Sequence, residues 1–175
     1  KIPTHFVKRI SDREQMIKKC EIIPIEFVVR NVASGSICSR LGIKDGLKLK
    51  KPLLEYYLKE DSLDDPIVSR DHLELFGWAT KKEIEKIDRM SLKINHCLIN
   101  HFKKKGITLV DFKIEFGRLS SNKKKIVLAD EISPDSCRLW DSKSKTKLDK
   151  DVFRKGLGNL IDAYEEVASR LGIVH

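Results

Sequence analysis

The stretch LVDFKIEFG, residues 109–117, alternates apolar and charged side chains. Successive side chains of a β-strand point to opposite faces, so Asp111, Lys113 and Glu115 are predicted to share one face. The other face would carry the apolar residues Val110, Phe112, Ile114 and Phe116. Taken alone, this pattern is that of an amphipathic strand with a solvated charged face. The segment that follows changes this interpretation.

Residues 108–116 and 126–131 are predicted to be two strands of an antiparallel hairpin. If the turn is centred just after Asn122, Glu115 lies opposite Asp130. Two facing carboxylates repel each other unless a cation bridges them, and Mg²⁺ held by one or two carboxylates and nucleotide phosphates is a common solution. A shift of one residue in register would remove this pair.

The remaining pattern predicts both strands and helices. A Thr80/Glu83 capping box begins a helix whose apolar stripe continues to Gly106, and a second helix is predicted at 149–171. The other predicted elements are strands at 4–10, 20–31 and 53–58, a helical turn at 11–14 and a short helix at 37–41 closed by Gly42. Because strands and helices do not alternate strictly, the sequence favours an α+β fold, a mixed or antiparallel sheet with packed helices.

Composition restricts the class of partner. The chain has 175 residues, 41% of them hydrophobic, which excludes a disordered tail, and its 35 Lys and Arg against 26 Asp and Glu favour an anionic partner. The aromatic residues are too few and scattered to indicate single-strand nucleic-acid binding. No apolar run is long enough to span a membrane, and the four separated cysteines indicate neither a zinc site nor a disulfide framework.

The polar stretch 130–141 follows the second predicted strand directly, where loops often build sites. Arg138 within it offers a planar, two-pronged set of donors to a phosphate or carboxylate. We expect Arg138 to be a surface side chain whose removal has little effect on folding. Arg30 and Ser36, like Arg138, could either bind a ligand or simply be solvated surface residues.

Three motifs in order closely resemble signatures of the SAICAR synthetase family, phosphoribosylaminoimidazole-succinocarboxamide synthases. They are IPIEFVVR at 23–30 followed by Gly35-Ser36, DFKIEFG at 111–117, and DEISPD at 130–135 continuing through RLW at 138–140. The similarity extends through Lys59, Asp65-Pro66, Leu148-Asp149-Lys150-Asp151 and Arg154, and so covers essentially the whole chain.

The resemblance implies an ATP-dependent ligase of purine biosynthesis that requires Mg²⁺. It would join L-aspartate to the carboxylate of carboxyaminoimidazole ribotide through an acyl phosphate, releasing ADP and phosphate. All of these substrates are anionic, in agreement with the net charge of +9. The implied partners are ATP, the ribotide and L-aspartate, in the cytoplasm, without nucleic acid or membrane; a homo-oligomer is left open.

Residue roles follow from the matched motif positions. Glu115 and Asp130 are implied as ligands of Mg²⁺ and ATP, and Glu21 and Ile22 as the adenine side of the ATP site. The implied catalytic residues are Asp111, Lys113 and Arg154. The implied substrate-binding residues are the ribotide-phosphate clamp Arg30, Ser36 and Arg138, together with Glu26, Lys59, Asp65 and Lys150.

The resemblance also implies a domain division, with inter-lobe strands at 1–31 and a substrate-binding C-terminal lobe at 32–175. Family members begin with a β-rich lobe whose Gly-Lys loop covers the ATP phosphates, and nothing ahead of Lys1 represents it. We therefore expect the active gene product to extend upstream. The alternative function is a non-catalytic basic module, with a ligase-like fold, that binds a nucleotide or RNA.

Overall fold

The computed structural model describes residues 1–173 and has the predicted α+β architecture. The strands are β1 (Phe6–Arg9), β2 (Gln15–Ile17), β3 (Cys20–Ile22), β4 (Ile25–Val32), β5 (Lys48–Leu58), β6 (Ile67–Val68), β7 (Ile107–Leu119), β8 (Asn122–Ala129) and β9 (Cys137–Asp141). The helices are α1 (Ser36–Leu41), α2 (Arg70–Leu75), α3 (Lys81–Lys103), α4 (Asp151–Arg154) and α5 (Leu160–Leu171), with a 3₁₀ turn at Asp61–Leu63. Among the described residues, no helix is long and apolar enough to cross a membrane.

The described strands form a two-stranded hairpin, β1-β2, and a seven-stranded sheet. The sheet has the order β3-β7-β4-β5-β6, and β8 and β9 also pair with β7. The stretch that contains the LVDFKIEFG motif is therefore the strand with the most partners. Its charged residues are surrounded by neighbouring strands, so they do not form the solvated face that the pattern alone indicates: Asp111 and Glu115 are both only 3% exposed.

The chain divides into two compact units. Unit 1 comprises Lys1–Val28, Leu54–Leu92 and Ile114–Glu131; unit 2 comprises Val29–Leu53, Lys93–Lys113 and the described chain from Ile132 onward. The two units interleave along the sequence. The family-based division at residue 31 remains a prediction.

In unit 1, the second half of β7 pairs with β8 in a register that differs by one residue from the prediction. Glu115 lies opposite Ala129, not Asp130. The pairing shifts between Arg118 and Leu119, because Leu119 pairs with Asn122 whereas Arg118 pairs with Ile126. The three lysines at 123–125 are thus extra residues of a bulged strand, not part of the connecting loop.

In unit 2, the first half of β7 pairs with β9, a strand that the sequence analysis did not predict. Asp111 lies opposite Arg138, and Thr108 lies opposite Trp140. Trp140 packs with Val32 and Val110 in a buried cluster. A pairing strand therefore occupies part of the polar stretch that was expected to be a loop.

The predicted strand at 20–31 is two strands, β3 and β4, separated at Pro24. Proline has no backbone N–H to donate, so the ladder is interrupted there. The predicted apolar face is confirmed: Ile23, Ile25, Phe27 and Val29 are all fully buried. Within unit 1, Phe27 makes edge-to-face contacts with Tyr56 and Phe116 at centroid distances of 5.7 and 5.4 Å.

Two helix predictions are wrong. The predicted helix at 149–171 is interrupted between α4 and α5, where Gly156 and Gly158 have φ of 60° and 151° and Asn159 caps α5 by accepting a hydrogen bond from the Ile161 amide. The Ser-x-x-Glu sequence at 11–14 forms the turn of the β1-β2 hairpin, because its backbone closes a hydrogen bond from Ile10 N to Glu14 O.

The prediction of a long helix after Thr80 is confirmed by α3. The Thr80 hydroxyl accepts a hydrogen bond from the Glu83 amide at 3.3 Å, and the Glu83 carboxylate accepts one from the Thr80 amide at 2.9 Å. This reciprocal capping box satisfies two amides that the helix itself cannot use. Ile84, Ile87, Met90 and Ile94 then bury one helical face.

We expect Thr80→Ala to lower the free energy of unfolding by about 1 kcal/mol, because the Glu83 amide loses its side-chain acceptor. Urea denaturation followed by far-UV circular dichroism measures this change. Thr80→Ser keeps the hydroxyl and should restore most of the stability. Equal midpoints for Thr80→Ala and wild type would contradict the assigned capping box.

Candidate functional site

The first candidate site lies in unit 2 and is centred on a buried carboxylate, Asp111 of β7. Arg30 of β4 donates to Asp111 Oδ2 at 2.7 Å, and Arg138 of β9 donates to the same oxygen at 3.0 Å. Arg138 Nε also donates to Asp151 Oδ2 at 3.2 Å. We call Arg30, Asp111, Arg138, Asp151 and Ser36 the arginine cluster.

Ser36, the first residue of α1, completes this cluster. Its hydroxyl accepts hydrogen bonds from Arg30 Nη2 at 3.2 Å and from Arg40 Nη1 at 3.1 Å. The residue itself is exposed, so a ligand can reach it. The predicted clamp of Arg30, Ser36 and Arg138 is thus brought together in the fold.

The loop before Ser36 is shaped by the position of Arg138. Gly35 has φ of 67°, and a Cβ at this position would collide with the Arg138 guanidinium. The Ser34 carbonyl accepts a hydrogen bond from Arg30 Nη1 at 3.1 Å. The Gly35-Ser36 motif therefore lets the backbone approach the two arginines closely.

Sequence analysis did not assign a role to Asp149 or Asp151, although both lie in a quoted motif. Asp151 is 2% exposed and Asp149 is 1% exposed. The Asp149 carboxylate accepts hydrogen bonds from the amides of Leu139 and Asp151, both at 2.8 Å. Burial nevertheless raises the pKa of Asp149 to about 6. Asp149 thus orients the segment that presents Asp151 to Arg138.

Arg138 differs from the surface arginine that was expected. Its side chain is 19% exposed and is paired with Asp111 and Asp151, which are 4% and 2% exposed. Removing it would leave the buried Asp111 with Arg30 alone and would take from the buried Asp151 its hydrogen-bonded partner. Loss of Arg138 is therefore expected to destabilise the fold, contrary to the expectation for a surface arginine.

The second candidate site is a cavity of about 520 Å³ in unit 1, which we call the Glu115 cavity. Its volume is within the range typical of small-molecule sites. Residues that line it include His5, Cys20, Ile22, Lys59, Glu115 and Asp130. Lys59 Nζ lies 2.8 Å from both carboxylate oxygens of Glu115, and the lysine side chain is 46% exposed.

The predicted metal pair, Glu115 and Asp130, shares the Glu115 cavity although the two residues are not strand partners. Asp130 directly follows β8 with φ of 58°, a left-handed conformation that ends the strand. The described residues contain no group of three or more His, Cys, Asp or Glu that could hold a metal ion. Two carboxylates nevertheless fit Mg²⁺, which is often bound by one or two carboxylates plus substrate phosphates.

The other predicted site residues have the following surroundings. Lys113 is half-buried, and its backbone amide donates to Ser136 O at 2.8 Å. Asp65 accepts from the Glu60 amide at 2.8 Å, and the exposed Arg154 lies 3.8 Å from Asp151. Three further residues complete the set: Glu21, in an ion pair with Lys123; Lys150, in an ion pair with Asp135; and Glu26, half-buried on β4.

The fold therefore brings eight of the predicted residues together in two groups and leaves the other six outside both. Ile22, Lys59, Glu115 and Asp130 line one cavity in unit 1. Asp111, predicted to be catalytic and to share a strand face with Glu115, belongs to the arginine cluster in unit 2. Lys59, predicted to bind substrate, is paired with Glu115.

Sequence and structure comparisons with known proteins all point to one family. The model of the SAICAR synthetase family matches residues 1–171. The chain is 62% identical to the phosphoribosylaminoimidazole-succinocarboxamide synthase of Pelagibacter ubique, covering 99% of this chain and 67% of that protein. It thus spans about two thirds of the length of this curated relative.

Solved structures of the same family have the same fold as this chain. The phosphoribosylaminoimidazole-succinocarboxamide synthase of Ehrlichia chaffeensis is similar with a TM-score of 0.97 and 50% identity, over 99% of this chain and 74% of that one. A SAICAR synthetase solved in complex with ADP is similar with a TM-score of 0.93 and 46% identity, over 97% and 72%.

We expect Arg138→Ala to lower the free energy of unfolding by about 3 kcal/mol, because it leaves Asp111 and Asp151 buried with less compensation. Arg138→Lys keeps a positive charge but not the fork, and should recover part of the loss. Urea denaturation at pH 7 measures both, with the exposed Arg13→Ala as control. A change for Arg138→Ala no larger than that for Arg13→Ala would contradict the structural role of the pair.

The raised pKa of Asp149 predicts a pH dependence of stability. The folded protein holds this proton more tightly than the unfolded chain, so stability is greatest below about pH 4 and falls as the pH rises through about 6. Between pH 5 and 7 we expect wild type to lose about 1 kcal/mol relative to Asp149→Asn, which has no titrating group there. Parallel pH profiles of urea unfolding for the two proteins would contradict this prediction.

Proposed function

The chain belongs to the SAICAR synthetase family, and on this premise we propose that it forms the amide bond of that family's reaction. ATP would drive the joining of L-aspartate to carboxyaminoimidazole ribotide, with ADP and phosphate released, in the cytoplasm. The observation that carries the proposal is the arginine cluster, in which Arg30, Arg138 and Ser36 are assembled around buried carboxylates.

The arginine cluster suits the phosphate of the ribotide. Guanidinium groups are planar donors that match phosphate oxygens in pairs, and the Ser36 hydroxyl can add a further donor. Asp111 and Asp151 hold the guanidinium groups in place before the ligand arrives, which reduces the entropy lost on binding. Lys147 and Lys155 lie 3.9 and 3.5 Å from Asp151, so the surroundings of the cluster carry further positive charge.

The Glu115 cavity suits the nucleotide. Glu115 and Asp130 would hold Mg²⁺, which when bound neutralises negative charge on the ATP phosphates. Lys59 holds the Glu115 carboxylate and adds a positive charge near the phosphates. The Lys59 side chain is 46% exposed and the residue lines the cavity, so a ligand there can contact it. Ile22 would contribute to the adenine side, as the family motif implies.

The reaction follows from the weakness of a carboxylate as an acyl donor. In the first step a ribotide carboxylate oxygen forms a bond to the γ-phosphorus of ATP, and the bond from that phosphorus to the β,γ-bridging oxygen breaks. In the second step the aspartate amine attacks the acyl carbon, loses a proton and displaces phosphate. Lys113 would stabilise the charge on the transferring phosphoryl group.

Four further residues would act on the substrates. Arg154, 3.8 Å from Asp151, would act beside the ribotide phosphate. Glu26, Asp65 and Lys150 would position the ribotide and aspartate. The four cysteines are free thiols, as is usual for proteins in the reducing cytoplasm: Cys20, Cys38, Cys97 and Cys137.

We expect ADP release that depends on the ribotide, L-aspartate and Mg²⁺, measured with a coupled enzyme assay. Asp130→Asn should lower this turnover by about 100-fold or more, since it removes one charged ligand of the nucleotide-bound metal. Asp12→Asn, at a side chain that is 91% exposed, is the matched control.

The assay is run in parallel on a chimera that joins this chain to the segment of the Pelagibacter ubique relative lying outside the match. Release by either protein supports the ligase. Silence from both, when both are folded, would contradict it, and turnover by Asp130→Asn equal to that of the control would remove Asp130 from the site.

A further inference from the structure

His5 is a buried histidine in the Glu115 cavity to which neither the sequence motifs nor the proposed reaction assign a role. The residue lines the cavity together with Ile22, Lys59 and Glu115 and is 7% exposed. The backbone of His5 is fixed on both sides. Its amide donates to Leu128 O at 2.9 Å, and its carbonyl accepts from Lys18 N at 2.7 Å. Two backbone hydrogen bonds therefore hold the His5 main chain in place.

The hydrogen bond made by the ring determines its tautomer. His5 Nδ1 lies 3.2 Å from the Leu128 carbonyl oxygen, and a carbonyl can only accept, so Nδ1 carries the proton. In the neutral imidazole the other nitrogen, Nε2, then presents a lone pair. Within the described part of the chain, the ring forms its hydrogen bond through Nδ1 and none through Nε2, and the residue lines the cavity.

The Nε2 acceptor favours the parts of a nucleotide that donate hydrogen bonds over the phosphates, which do not. A lone pair at Nε2 repels phosphate oxygens, which would find better partners in Lys59 and in the metal that Glu115 and Asp130 would hold. The nucleoside, in contrast, offers hydrogen-bond donors: the amino group of adenine and the hydroxyls of ribose. We propose that His5 Nε2 accepts a hydrogen bond from a nucleoside donor of ATP, with Leu128 fixing the tautomer that makes this possible. The assignment rests on the proposed nucleotide role of the Glu115 cavity.

Two isosteric variants separate this binding role from a structural one. The amide nitrogen of asparagine occupies the position of Nδ1, so His5→Asn keeps the bond to Leu128 and removes the acceptor at Nε2. The amide of glutamine reaches the position of Nε2, so His5→Gln keeps an acceptor there and loses the bond to Leu128. A structural histidine would be replaced better by asparagine, and a nucleoside-binding histidine better by glutamine.

Isothermal titration with ADP at constant Mg²⁺, on this chain and on the chimera described above, tests the proposal. We expect His5→Asn to weaken ADP binding about tenfold with little change in melting temperature, because one hydrogen bond to the ligand is lost. His5→Gln should bind ADP within about threefold of wild type even though its melting temperature falls.

Analogues of ADP identify the donor. Inosine diphosphate has no amino group, and the 2′- and 3′-deoxy forms of ADP each lack one ribose hydroxyl. The analogue without the relevant donor should bind wild type more weakly than ADP does, and should bind His5→Asn and wild type equally. Either the base or the ribose result supports the proposal and names the group.

Two results would overturn the proposal in distinguishable ways. If wild type binds ADP and His5→Asn binds it equally well, His5 has no part in nucleotide binding while the proposed function stands. If neither the chain nor the chimera binds ADP, the nucleotide role of the Glu115 cavity fails, and the assignment of His5 fails with it.

Discussion

The buried Asp111 carboxylate is the constraint on which unit 2 and its site depend. Moving an ionised carboxylate out of water costs several kcal/mol unless partners compensate it, and here Arg30 and Arg138 do so at 2.7 and 3.0 Å. These partners come from β4 and β9, which both neighbour β7. The charge therefore helps to specify which strands flank β7 and in what register, since a slip would leave the carboxylate unpaired. The pairing of β4 and β9 with β7 thus also assembles the arginine cluster.

This arrangement favours binding over stability. A buried ion pair is often no more stabilising than apolar residues of the same volume, so the cluster is a poor way to hold three strands together. Its advantage is that two guanidinium groups are fixed while the Ser36 hydroxyl beside them stays exposed. Asp149 adds to the electrostatic cost, because burial raises its pKa while its carboxylate holds the backbone beside Asp151. Such costs are typical of sites that are preorganised for a ligand.

The sequence predicted features set by local periodicity and failed where longer-range pairing decided. The alternation at 23–29 and the first part of the α3 stripe, Ile84 to Ile94, were confirmed because each pattern follows from burial of one face. The hairpin register was one residue off because three successive lysines, indistinguishable from a polar turn, form a bulge. The long C-terminal helix was wrong because Gly156 and Gly158 take positive φ within an otherwise helical pattern. No pattern in 109–117 could reveal that Asp111 and Glu115 are buried, since that depends on the neighbours of β7.

The observed register also changes the reason why a metal would be needed beside Glu115. A facing pair of carboxylates would need a cation to relieve repulsion even without a nucleotide, which would make the metal a structural element. In the observed register Glu115 is opposite Ala129, and its charge is compensated by Lys59 at 2.8 Å from both oxygens. The protein's own lysine thus does what the cation was expected to do. If the Glu115 cavity binds a nucleotide, as proposed, a metal would arrive with the nucleotide's phosphates and would neutralise their negative charge, not that of Glu115.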